Sequence, residues 1–99
     1  MRLSEAAAQV IKETAVRQFG PWVEVWLFGS RLRDDARGGD IDLLVAPKRV
    51  PESRTKAAVE FAAALQWQLG DQRIDVVIDD GAGDLPIAVR ARATGRRLL

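Results

Sequence analysis

The amino-acid sequence predicts a small α/β domain, a mixed three-stranded sheet with helices packed on one face, in the order α-β-β-α-β-α. Three observations predict it. Segments of helical period alternate with segments of period two, Gly or Pro stands at most junctions, and 99 residues suit one core. Residues 1–99 are therefore expected to form a single domain.

Ser4 suits the N-cap of a first helix that runs to about Phe19, where Gly20-Pro21 stops it. Its apolar row is Ala7, Val10, Ile11, Thr14 and Ala15. Glu5, Gln9, Glu13 and Arg17 form the solvated row, the last two in the favourable i,i+4 order. Val23 to Phe28 alternates Val23, Val25 and Leu27 against Glu24, Trp26 and Phe28, which reads as a strand ended by Gly29-Ser30. Residues 31–39 are too polar for a core and read as a helical turn followed by a Gly-Gly loop. Asp40 and Asp42 open a second strand, which reaches Ala46 and is closed by Pro47.

Pro51 and Ser53 start a second helix that ends near Leu69, with Gly70 as its terminator. Ala58, Phe61, Ala62, Leu65 and Leu69 form its apolar row, and Trp67 points roughly 180° away from them at about 100° per residue. Arg73 to Ile78 is a third strand. Asp79-Asp80-Gly81 reads as a turn and Asp84 as an N-cap, without the spacing of a calcium loop. Pro86 begins a short last helix that Gly95 ends. The helix between the second and third strands permits a parallel, right-handed crossover. The short link between the first and second favours an antiparallel pair.

Composition narrows the chemistry. The chain has no His, no Cys and no Tyr. That excludes a Ser-His-Asp triad, an imidazole- or thiolate-bound metal and any disulfide within the chain. Lys and Arg number 15 against 14 Asp and Glu, so no global field draws the protein to nucleic acid or membrane. The charges are unevenly spread: Asp71 to Asp84 holds five acids and one Arg, while Pro86 to Leu99 holds four Arg and no acid. The start of the chain does not read as a signal peptide, and no uncharged stretch nears the ~20 residues of a membrane helix. A cytoplasmic location is the expectation.

Asp40 and Asp42 project from one face at period two, opposite Ile41, Leu43 and Val45. Asp75 interrupts an apolar strand. If that strand lies beside the second, three carboxylates converge, and their mutual repulsion calls for a cation. A hard ion such as Mg²⁺ suits an oxygen-only donor set, and a pair of such ions suits displacement at phosphorus. Gly29-Ser30 supplies a strand end that a phosphate can approach closely, with Arg31 or Arg33 adding charge. Taken singly, each element also has a plainer reading: a solvated Asp-x-Asp edge, an ordinary Gly-Ser turn, an outward-facing Asp75.

The combination is more demanding. The segments LFGS, GDIDLLV and RIDVVI, with their intervening helix, resemble the nucleotidyltransferase superfamily that includes DNA polymerase β. The minimal nucleotidyltransferase (MNT) family is the nearest likeness, which extends to the ending PIAVRARATGRRLL and covers nearly the whole chain. Nine residues, 31–39, separate Ser30 from Asp40, one fewer than is usual in the minimal family but within the range of the superfamily.

The resemblance implies the nucleotidyltransferase fold, with Gly29, Ser30 and Arg31 at the nucleotide. It also implies Asp40, Asp42 and Asp75 as catalytic acids binding two Mg²⁺ ions, with ATP as substrate. Asp75 matches the acid that helps activate the attacking hydroxyl. Because larger relatives add an acceptor domain that has no room here, the acceptor is expected either to bind a shallow site or to be itself a protein that docks on this one. Many minimal members are antitoxins of HEPN-domain ribonuclease toxins, thought to act by adenylylating a toxin Tyr. The reading is therefore an AMP-transferring antitoxin with a HEPN toxin as partner, and Trp67 and Trp26 as docking candidates. Alternatives are an antitoxin that acts by binding alone, and a small-molecule nucleotidyltransferase of the aminoglycoside-modifying kind. A glycosyltransferase ranks last because it leaves Gly29-Ser30 unexplained.

Overall fold

A computed structural model describes residues 3–29, 40–70, 72–79 and 86–99. Helix α1 spans Glu5–Phe19 and is capped as expected: the Ser4 hydroxyl accepts from the Ala7 N–H at 3.1 Å. Strand β1 is Glu24–Phe28 and β2 is Asp40–Ala46. Helix α2 is Arg54–Leu69, with the Ser53 hydroxyl accepting from the Lys56 N–H. Strand β3 is Arg73–Ile78, α3 is Pro86–Thr94, and β4 is Arg96–Arg97. No described helix is long and apolar enough to cross a membrane.

The sheet order is β3-β2-β1-β4. β1 and β2 are antiparallel and β2 and β3 parallel, as the linker lengths predict. Alternation along the strands then sorts side chains onto two faces. Val25, Leu27, Ile41, Leu43, Val45, Ile74 and Ile78 join one cluster with Ile11 and Ala15 of α1 and Phe61 and Leu65 of α2. Each fully buried aliphatic or aromatic side chain there contributes ~1.5–3 kcal/mol. The two helices are also tied directly: Phe19 and Phe61 meet edge to face at 5.4 Å, and the Gln68 Nε2 donates to Thr14 Oγ1 at 2.9 Å.

Two details differ from expectation. The sheet has a fourth strand, and α3 lies on the opposite face from α1 and α2, so the helices do not share one face. Leu44 is fully buried with Ala88 and Ala91 of α3, and Trp26, Phe28 and Val77 pack around them. The run Leu43-Leu44-Val45 is apolar without alternation, as a strand covered on both faces should be. Trp26 is partly buried against this second core, and its Nε1 donates to Glu24 at 3.1 Å.

The fourth strand depends on Gly95. A Cβ there would collide with the carbonyl oxygens of Ala91 and Leu27, so the chain can hug β1 only without a side chain. Arg96 and Arg97 then pair with Leu27 and Trp26, and Leu98 donates its N–H to the Val25 carbonyl at 2.7 Å.

Candidate active site

The acids meet through strand register. Asp42 is paired with Phe28 on one side and Asp75 on the other, and Asp40 with Arg73. Phe28, Asp42 and Asp75 thus form one row across three strands, on the face that carries α3. Asp42 is half-buried, and the Asp75 side chain is 53% exposed. The backbone of Asp40 opens β2, whereas its side chain lies outside the described residues.

Gly29 ends β1 against this row. Its φ is +78°, and a Cβ at this position would overlap the Asp42 carboxylate, with Cγ at 3.1 Å. Glycine is required both for the left-handed backbone and for the space that Asp42 occupies. Ser30 and Arg31 lie outside the described residues.

Sequence reasoning passed over two charged groups. Arg73 stands two residues before Asp75 on the same face, and its Nε lies 3.3 Å from Asp75 Oδ2. Period two along β3 was the signal that pointed to it. Asp79, expected in a turn, is instead 2% exposed: its N–H donates to the Val45 carbonyl, and Arg92 Nη1 donates to its Oδ2 at 2.6 Å. This pair fastens α3 to the end of β3. Asp80, Gly81 and Asp84 lie outside the described residues.

Among the described residues, no three acids, His or Cys come together closely enough to hold a metal. Asp42 and Asp75 are nevertheless adjacent in register and offer only oxygen, a donor set that fits a hard divalent ion.

Carboxylates aligned beside a glycine-ended strand suit chemistry at phosphorus. The chain belongs to the polymerase β-type nucleotidyltransferases: the family profile described as Polymerase beta, Nucleotidyltransferase matches residues 9–99. Among solved structures, it is similar to a chain of the crystal structure of the toxin-antitoxin MntA-HepT, at TM-score 0.67 and 21% identity. The match covers 97% of this chain and 72% of that one, and shows a common fold. A search of curated proteins returns no match.

Proposed function

We propose that this nucleotidyltransferase domain transfers AMP from ATP to a hydroxyl of a partner protein, and that the partner is a HEPN ribonuclease toxin which it neutralises. The observation that carries the transfer reading is the Phe28–Asp42–Asp75 row with Gly29 backed against Asp42. The partner reading draws support from the fold shared with the toxin-antitoxin structure. A Tyr of the toxin is the acceptor that the family likeness favours.

In this reading Asp40, Asp42 and Asp75 hold Mg²⁺, which when bound neutralises the triphosphate and lowers the proton affinity of the acceptor hydroxyl. Gly29, with Ser30 and Arg31, receives the phosphates where no Cβ obstructs the backbone. Asp75, on the outer strand, orients the acceptor hydroxyl and draws off its proton. The hydroxyl oxygen forms a bond to the α-phosphorus, the bond from that phosphorus to the bridging oxygen breaks, and pyrophosphate leaves. Positioning and charge neutralisation supply the catalysis, so a His base is not needed.

Trp67 is the preferred docking residue. It is 91% exposed, and α2 ends four residues before β3 begins, which places it at the end of the sheet where β2 and β3 start. Trp22 is also exposed, but Lys48 lies 5.7 Å from its ring centroid, and it precedes β1 at the opposite end of the sheet. A protein drawing on ATP in this way would work in the cytoplasm.

The test is incubation with α-labelled ATP, Mg²⁺ and the partner toxin. Asp42→Asn should lower label transfer at least ~100-fold. Undiminished labelling refutes the mechanism. Neutralisation that survives while labelling disappears assigns the effect to binding alone.

A further inference from the structure

Arg73 has no packing reason for its position. Its side chain is 73% exposed, it belongs to an outer strand, and among the described residues its ion pair runs through Nε to Asp75 Oδ2. Asp75 is in turn the register partner of Asp42, so the guanidinium contacts one of two carboxylates held on neighbouring strands. Neighbouring strands lie about 4.8 Å apart, and carboxylates held at such spacing repel each other unless a cation stands near. Arg73 is the described cation in contact with Asp75.

We propose that Arg73 is the resident counter-ion of Asp75, which an entering divalent cation must displace. It is a positioning residue: it steadies the acid in the metal-free protein and gives way when metal arrives. This rests on the reading of Asp42 and Asp75 as metal ligands. The guanidinium and the metal compete for Asp75 Oδ2, so Arg73 lowers metal affinity while protecting the empty row from its own repulsion. An exposed pair of this kind is weak, which sets the competition at roughly two- to fivefold in metal affinity. A much stronger pair would prevent metal from binding.

The experiment is Mn²⁺ titration of the full chain without nucleotide, following free Mn²⁺ by electron paramagnetic resonance. Arg73→Gln should bind Mn²⁺ about two- to fivefold more tightly than wild type, with the gain shrinking as salt is raised. Arg73→Lys keeps the charge at a single-contact site and should stay near wild type. Arg49→Gln removes equal charge beyond the far end of β2 and should have no effect. In wild type, the Arg73 Nε–H resonance should shift on adding Mg²⁺, with the midpoint of metal binding. Unchanged or weaker Mn²⁺ affinity in Arg73→Gln overturns the proposal, as does an Nε–H resonance indifferent to Mg²⁺. Wild-type protein that binds no Mn²⁺ overturns both the proposal and the metal-site reading beneath it. Metal binding without transfer to the toxin refutes the proposed acceptor and leaves the role of Arg73 standing.

Discussion

Replacing Gly29 by Ala separates two demands that meet at one residue. The first is backbone: at φ +78° an L side chain costs roughly 1–2 kcal/mol. The second is space: the new Cβ would fall within contact of Asp42 Oδ2 and 3.1 Å from its Cγ, so the carboxylate must move. Forced repacking of this kind costs ~1–3 kcal/mol. The sum, roughly 2–5 kcal/mol, lies within the 5–15 kcal/mol stability of an ordinary domain, so the variant should still fold. Urea denaturation measures the loss, first in wild type and then on an Asp42→Ala background. There Cγ and both oxygens are gone, and the remaining Asp42 Cβ position, at 3.4 Å, is ordinary contact. Only the backbone part, ~1–2 kcal/mol, should persist, and the difference between backgrounds is the steric coupling. Mn²⁺ affinity of Gly29→Ala should fall at least ~10-fold, because the displaced carboxylate is a proposed ligand. Equal losses in both backgrounds would refute the contact. No loss in either would refute the left-handed backbone.

Other expectations follow from single contacts. Arg92→Met leaves Asp79 buried without its guanidinium; Arg92 is itself 35% exposed, so the loss should be roughly 2–4 kcal/mol by urea denaturation, with Asp79→Asn milder because Asn still accepts a hydrogen bond. Gly95→Ala drives a Cβ into the Ala91 and Leu27 carbonyls and should cost at least ~2 kcal/mol, with faster amide exchange at Leu98 as β4 detaches. Trp67→Ala should change stability by less than ~0.5 kcal/mol while weakening the toxin complex at least ~10-fold by calorimetry, as an exposed anchor would.

Much of this structure was legible because its signals are local. Ser4 and Ser53 cap their helices through their own hydroxyls, and β3 has the predicted bounds, with Gly70 closing the helix before it. The pairing of Asp42 with Asp75 was legible for a different reason. A helix between two short strands favours a parallel crossover, and period two then puts both acids on one face. Arg73 obeys the same period and was missed because an arginine beside an exposed acid has so many plainer explanations. β4 was not legible, since two residues carry no periodicity and their pairing rests on what Gly95 lacks.

What the sequence determined by itself was the set of elements apart from β4, the absence of imidazole and thiol, and the carboxylates available for chemistry. Those follow from residue type and spacing along the chain. The tertiary structure alone decided which face α3 covers, that Trp26 packs on that face, and that Asp79 is buried against Arg92. It also showed that the Gly29 backbone and the Asp42 carboxylate occupy adjoining space. Each of these joins residues 13 or more apart. Contacts of that kind leave no periodic trace in a sequence, because they arise from how elements pack and not from how any one of them forms.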